Sequence, residues 1–380
     1  MDKNSISTLS KLTKDKLIDK CIELNITNYH SKTSKKDLVS LIMNLSMVSM
    51  VSIVSIDYDI HKPILKWVGG KSQIIDKLMP LFPKIINNYH EIFLGGGSVL
   101  FALLSFIEKG IIKLNGSIYA YDVSEPLIYV YKNIQSNHIE LFETITQIIL
   151  EFNNCSYGGI NRKPMNLSEA TESKENYYYW TRMKYNSLSD KKTILGSALF
   201  IFLNKTCFRG VFRLGPDGFN VSYGHYANPE IINFEHLQSI HSLIQNVIFE
   251  TLDFSFSMQN VGENDFVYLD PPYAPENSTS FVKYTENGFS IDKHIHLFSL
   301  CDNLRSKNIN FIMSNADVDL IKQHFSSDKY KIEYILCKRS INSKNPESKA
   351  KEVIIKSICN GNLSEETQVS YTYLPFIKMF

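Results

Sequence analysis

The chain has 380 residues, 44% of them hydrophobic and 21% charged, the composition of a folded globular protein with a substantial core and not of a disordered or collagen-like chain. Lys and Arg total 40 against 39 Asp and Glu, so the net charge of +1 carries no global polyelectrolyte signal, and any surface for a polyanion must come from local segregation of charge. Six scattered cysteines with no Cys-x-x-Cys pair exclude a disulfide framework and a zinc cluster as readings, and no secretory or targeting segment is seen, so an intracellular, reducing compartment is expected.

The first 45 or so residues predict two short amphipathic helices. Leu9, Leu12, Leu17, Cys21 and Leu24 recur at helical spacing, and Leu38, Leu41, Ile42 and Leu45 do so again after a turn over residues 25–34. Ser34 followed by Asp37 resembles a helix start. This segment carries eight lysines against five acids, a net +3, and is too small to be an enzyme. Residues 46–61 read as a linker. Its most apolar part, residues 47–56, is broken by Ser49, Ser52 and Ser55 and is about half the length that spans a bilayer, so no membrane partner is expected.

From Pro63 onward, short apolar runs alternate with amphipathic stretches. Ile118 to Tyr121, Phe266 to Leu269, Ile309 to Met313, Ile332 to Leu336 and Val353 to Ser357 predict buried strands; Val99 to Ile107 and Asp292 to Leu304 predict helices. That alternation predicts an α/β domain with a doubly wound sheet over residues 62–131 and 249–380. Residues 132–248 break the rhythm, first helical and then loop-rich, and read as an insertion.

The strongest chemical signal is Tyr268-Leu269-Asp270-Pro271-Pro272-Tyr273, an apolar strand running into an acid, two prolines and an aromatic ring. Successive prolines lack amide donors and stiffen the turn, leaving the Pro271 carbonyl free as an acceptor. A carboxylate beside a bare carbonyl can hold an exocyclic amine while the ring of Tyr273 stacks on its base; a strand-closing turn would use the same residues. Upstream, Phe93-Leu94-Gly95-Gly96-Gly97-Ser98 precedes a helical run, the arrangement that lets a ligand approach the backbone at a helix N-terminus. It is neither the dinucleotide fingerprint nor a P-loop, since Gly70-Lys71-Ser72 lacks the glycine that motif requires. Some 25 residues on, a strand ends in Asp122, placed either to accept two ribose hydroxyls or to cap a helix. Between Lys191 and Tyr226, five basic residues face one acid, and Arg209 and Arg213 are two of only six arginines in the chain. Arginine reads guanine in the major groove, and a two-stranded ribbon fits there; phosphate binding alone would use the same charge.

Lys66-Trp67-Val68-Gly69-Gly70-Lys71, the glycine run, the strand ending in Asp122, Leu252-Asp253-Phe254 and Asp270-Pro271-Pro272-Tyr273 stand in the order seen in Dam-type DNA adenine-N6 methyltransferases of the D12 class, alpha group. Asn204-Lys205-Thr206-Cys207-Phe208-Arg209-Gly210, with Phe219-Asn220-Val221 and Gly224-His225-Tyr226, resembles that family's target-recognition hairpin, and residues 1–45 resemble a SAP-like helical hairpin, through Leu9-Ser10-Lys11-Leu12 and Ser34-Lys35-Lys36-Asp37-Leu38. The resemblance implies a Rossmann-like methyltransferase sheet with an inserted helical and β-hairpin recognition domain, S-adenosylmethionine as cofactor, and adenine in double-stranded DNA as substrate. It carries cofactor contacts onto Trp67, Lys71, Phe93, Gly95, Gly97, Asp122, Asp253, Phe254 and Asp270, and catalysis onto Asp270, Pro271, Pro272 and Tyr273. DNA contacts fall on Lys205, Phe208, Arg209, Val211, Arg213, Ser222 and His225, with Arg213 at the position expected to read guanine beside the target. Lys71 would meet the cofactor's methionine carboxylate, and Asp253 with Phe254 its adenine. Arg209, Ser222 and His225 depart from the asparagine, proline and arginine usual there. No metal is implied, and a cognate restriction endonuclease is a partner such an enzyme can have. Residues 274–289 read as a loop able to close over the site. Methylation of RNA or of cytosine N4, or an inactive DNA-binding relative, are the alternatives.

Overall fold

A computed structural model describes residues 12–23, 33–39, 60–275, 289–338 and 349–357. These fall into two compact units, one holding the described residues up to 39 and the other those from 60 onward.

In the N-terminal unit, α1 spans Lys14–Glu23 and a helical turn spans residues 35–39. Ser34 and Asp37 open that turn as expected: the Asp37 amide donates to Ser34 Oγ at 3.2 Å and the Ser34 hydroxyl donates to Asp37 Oδ2 at 2.6 Å. Leu17 and Leu38, the apolar positions read from the spacing, are both fully buried. Leu9, Leu24, Leu41, Ile42, Leu45 and most of the expected linker lie outside the described residues.

The larger unit is built on β1 (Tyr89–Glu91), α2 (Ser98–Glu108), β2 (Ile118–Asp122), α3 (Glu125–Asn153), α4 (Lys174–Ser187), α5 (Ile194–Thr206), α6 (Phe234–Leu243), β3 (Val247–Thr251), β4 (Phe266–Leu269), α7 (Ile291–Ser306), β5 (Asn310–Ala316), α8 (Asp319–His324), β6 (Tyr330–Lys338) and β7 (Lys349–Ser357). The seven strands form one sheet in the order β6-β7-β5-β4-β1-β2-β3. β3, β2, β1, β4 and β5 are parallel, whereas β7 runs antiparallel to both of its neighbours. This is the doubly wound order 3-2-1-4-5-6 with a seventh strand inserted backwards beside the sixth, and its order reverses between β1 and β4. In such sheets the crevice outside the carboxyl ends of the strands at that reversal is where ligands bind.

Burial explains the sequence pattern. All four residues of β4 are buried, so it reads as a short apolar run and not as alternation, whereas β1 is buried throughout but carries His90 and Glu91. α2 is buried from Ser98 to Phe106; each Leu or Phe it removes from water contributes about 1.5–3 kcal/mol. The described expectations for β2, β4, α2 and α7 match within a few residues, while β1 and β3 carry too little apolar sequence to stand out. A buried polar network ties the turn before β4 to β1: His90 Nε2 lies 3.0 Å from Asp265 Oδ2, which also accepts the Gly262 amide, and Asp265 Oδ1 accepts Asn88 Nδ2 at 2.8 Å.

The expected insertion leaves the sheet inside a helix. α3 is 29 residues long and is interrupted at Asn137, whose φ and ψ of −142° and 43° are not helical. α4 and α5 pack beside it, and Asn133 on α3 donates to Ser197 Oγ on α5 at 2.7 Å. β3 then re-enters the sheet at Val247.

Candidate active site and recognition hairpin

β4 delivers Asp270, Pro271, Pro272 and Tyr273 to the carboxyl edge of the sheet, immediately beside the point where strand order reverses. The turn is fastened on two sides. The amide of Ala274 donates to Asn315 Oδ1 on β5 at 3.0 Å, and the Tyr273 hydroxyl donates to Glu352 Oε2 on β7 at 2.8 Å. Lys71, from a segment 199 residues earlier, places its ammonium 2.6 Å from Asp270 Oδ2 and also donates to the Gly69 carbonyl. That ammonium sits over the Tyr273 ring, 5.0 Å from its centroid. The Lys71 amide donates to Ser98 Oγ at the start of α2, which fixes this segment against the glycine loop.

Burial pushes the Asp270 carboxyl above the usual carboxylate range, and the Lys71 ammonium opposes that rise. Glu91, at the end of β1, is buried and accepts the Tyr89 hydroxyl at 2.8 Å; burial pushes its carboxyl up to about 8, with the charge of Asp270 adding to the rise. Glu91 and Glu352 are therefore neighbours of the expected catalytic turn that the sequence reading did not single out. An acid at the strand end, just upstream of a glycine run, was a usable signal for Glu91. No local signal marks Glu352, whose place depends on the reversed direction of β7.

The expected cofactor residues gather at the ends of β1, β2 and β3. Gly95 and Gly97 have φ of 49° and 74°, left-handed values that favour glycine, and a Cβ on Gly95 would lie 2.8 Å from the ring of Trp67. Trp67 thus packs on the loop itself. Asp122 Oδ2 accepts the Gly95 amide at 3.0 Å and Oδ1 accepts the Ser124 amide at 2.9 Å, so one carboxylate joins the glycine loop to the start of α3. Its carboxyl is also raised by burial. Asp253 Oδ1 accepts the amide and hydroxyl of Ser255, capping the short helix Phe254–Ser257. Phe93 and Phe254 stack at 5.9 Å between centroids, and Phe289 packs on both, forming one aromatic wall. A carboxylate with lone pairs to spare, a left-handed glycine turn and an aromatic wall at this edge of the sheet fit an adenosyl group, with acceptors for its hydroxyls and a ring face for its base. Residues 276–288, the middle of the expected closing loop, lie outside the described residues.

The expected ribbon is shorter than a regular hairpin. Leu214–Gly215 pairs with Gly218–Phe219 around a turn at Pro216 and Asp217, and Cys207 bridges Tyr223 at its base. Between them residues 208–212 bulge out. Phe208, Arg209, Arg213, Ser222 and His225 are exposed, and Val211 is half-buried. Arg213 reaches across the ribbon, its Nε donating to Asn220 Oδ1 at 2.7 Å. Arg209 has a φ of 57°, a left-handed conformation that asparagine tolerates better than arginine, and its amide donates to the Tyr226 hydroxyl. The His225 ring lies 3.7 Å from Glu175. Lys205 differs from these residues: burial pushes its ammonium down to about 8, with Lys66 close by.

The sequence matches the family described as D12 class N6 adenine-specific DNA methyltransferase over residues 67–341. The chain belongs to that family. It is 34% identical over 297 residues to the type II methyltransferase M.MjaIII of Methanocaldococcus jannaschii, covering 76% of this chain and 95% of that protein. It is 26% identical over 288 residues to the DNA adenine methylase of Escherichia coli strain K12, covering 74% and 90%. A solved putative class I S-adenosylmethionine-dependent methyltransferase from Listeria monocytogenes aligns over 97% of this chain and 92% of its own at 11% identity, with a TM-score of 0.34. Membership makes the chain an adenine-specific DNA methyltransferase. Among the described residues, no group of three or more His, Cys, Asp and Glu could hold a metal, and no helix is long and apolar enough to cross a membrane.

Proposed function

We propose that this methyltransferase binds S-adenosylmethionine at the carboxyl ends of β1, β2 and β3 and methylates the exocyclic N6 of an adenine flipped out of double-stranded DNA into the crevice beside β4. The observation that carries the reading is the Asp270–Lys71 pair, at 2.6 Å, on the Asp270-Pro271-Pro272-Tyr273 turn at the sheet's reversal point. Bound there, the cofactor would supply an electrophilic methyl carbon on a sulfonium centre.

The protein's own groups do the rest. Asp122 accepts ribose hydroxyls, Gly95 and Gly97 let the backbone approach, and the Phe93–Phe254 wall receives the cofactor's base beside Asp253. Trp67 holds the glycine loop from behind. Adenine cannot present its amino group while stacked, and extrusion costs a few kcal/mol. Once extruded, its ring lies on Tyr273 while Asp270 and the Pro271 carbonyl, freed by Pro272, accept the two N–H bonds. That pairing draws the nitrogen lone pair out of conjugation and aims it at the methyl carbon. Lys71 opposes the burial that raises the Asp270 carboxyl, which favours the ionised acceptor. Rate comes from positioning and preorganised charge, with no covalent enzyme intermediate.

On the insertion, Arg213 would read guanine beside the target, with Phe208, Arg209, Val211, Ser222, His225 and Lys205 as further DNA contacts and the N-terminal SAP-like unit as a non-specific tether. Independent substitutions test this division. Phe254→Ala is expected to weaken S-adenosylmethionine binding by calorimetry while leaving duplex affinity unchanged, and Arg213→Ala to do the reverse. Loss of both affinities in either variant would contradict it.

A further inference from the structure

Glu352 lies 79 residues after Tyr273 in sequence, yet the two side chains meet at 2.8 Å, the Tyr273 hydroxyl donating to Glu352 Oε2. The reason is strand direction. A residue early in a parallel strand would sit at the amino edge of the sheet, far from the site. Because β7 is antiparallel, its first residues lie at the carboxyl edge, and the register pairs Glu352 with Ala316 at the end of β5 and with Ile335 on β6. Flanked by hydrogen-bonded strands on both sides, Glu352 has a fixed backbone from which to hold its partner.

Among the described residues, Tyr273 is otherwise tied around its backbone and over its face. Two prolines precede it, the Ala274 amide after it is held by Asn315, and the Lys71 ammonium lies over the ring. None of these contacts sets the direction in which the hydroxyl end of the ring points. The hydrogen bond to Glu352 does, and a bond to a carboxylate is charge-assisted. We propose that Glu352 is a positioning residue for methyl transfer, holding the Tyr273 ring in the orientation that receives the extruded base. The ring is then ordered before the base arrives, and that ordering is not subtracted from the binding energy of the flipped state. This rests on the reading of Tyr273 as the stacking surface for the target adenine.

The test uses the full chain and a duplex carrying the site mapped for the wild-type enzyme, with 2-aminopurine in place of the target adenine for the fluorescence arm. Glu352→Ala is expected to lower the single-turnover methylation rate about tenfold and to blunt the 2-aminopurine rise, with duplex affinity unchanged. Glu352→Gln, which keeps an acceptor oxygen, is expected to recover most of both signals. Tyr273→Phe removes the same hydrogen bond without touching β7, so it decides the matter if the Glu352 variants fold poorly; it is expected to reproduce the loss, and Glu352→Ala added to it to cost nothing further. Wild-type behaviour in Tyr273→Phe, or a full additional loss when Glu352→Ala is placed on that background, would overturn the proposal, the second outcome assigning Glu352 to the charge balance of Asp270. A wild-type enzyme that neither methylates DNA nor raises 2-aminopurine fluorescence would overturn the functional reading itself, and the proposal with it.

Discussion

The side-chain amide of Asn204 grips the backbone of Lys66 at both ends: Oδ1 accepts the Lys66 amide and Nδ2 donates to the Lys66 carbonyl, each at 2.8 Å. Asn204 ends α5 on the insertion, and Lys66 opens the segment that reaches Lys71 and Asp270. The next residue, Trp67, stacks on Phe212 of the bulged hairpin at 6.0 Å and packs on Gly95 on its other side. The bulged hairpin, the glycine loop and the turn after β4 are thus held through one short stretch of chain.

Replacing Asn204 with Leu would leave the half-buried backbone groups of Lys66 without these partners, at about 1–3 kcal/mol at most. The expected outcome is a lower midpoint in urea unfolding together with weaker binding of both cofactor and duplex. Loss of stability with both affinities intact would show that the clamp serves folding alone.

Lys71 opposes the burial that raises the Asp270 carboxyl. A group that must be ionised to act fails as pH falls through its pKa, so removing the opposing charge moves that failure upward. Lys71→Met is therefore expected to shift the acidic limb of the kcat profile to higher pH. An unmoved limb would remove Lys71 from the control of Asp270.

Glu91 is neutral in the folded protein over a range where it is ionised in the unfolded chain, from its ordinary 4.5 to about 8. The unfolded state then binds fewer protons, so the contribution of this group to stability falls as pH rises through that window. Glu91→Gln cannot ionise and should lose less melting temperature than wild type between about pH 5 and about pH 8. Parallel melting curves for the two proteins would contradict the assignment.

How far the sequence disclosed this site follows from where its parts come from. The turn after β4 and the glycine loop are each contiguous, so both stood out in the sequence, as did β4, an apolar run buried over its whole length, whereas β1, equally buried, carries His90 and Glu91 and did not. The Lys71–Asp270 pair joins residues 199 apart and appears only once β1 and β4 are neighbours. Glu352 was hidden for a stronger reason, since no property of its own segment says that β7 runs backwards. The hairpin was located by its charge, but its bulge was not: Arg209 adopts a left-handed φ that the residue type argues against.

Arg213 is exposed, and its guanidinium is held across the ribbon by Asn220, a partner that a base edge would replace under the proposed reading. Arg213→Ala is expected to cost about 1–3 kcal/mol of binding to the cognate site and to relax one base of it. A methylome of the variant with unchanged site preference would exclude Arg213 as a base reader.

Adenine methylation is tested by transfer of label from isotopically marked S-adenosylmethionine to unmethylated duplex DNA, with RNA in parallel and Asp270→Ala as control, followed by mass spectrometry of the nucleosides. Label is expected in the N6-methylated adenine nucleoside of DNA alone, abolished in the variant. Label in RNA or in cytosine, or equal labelling by Asp270→Ala, would contradict it.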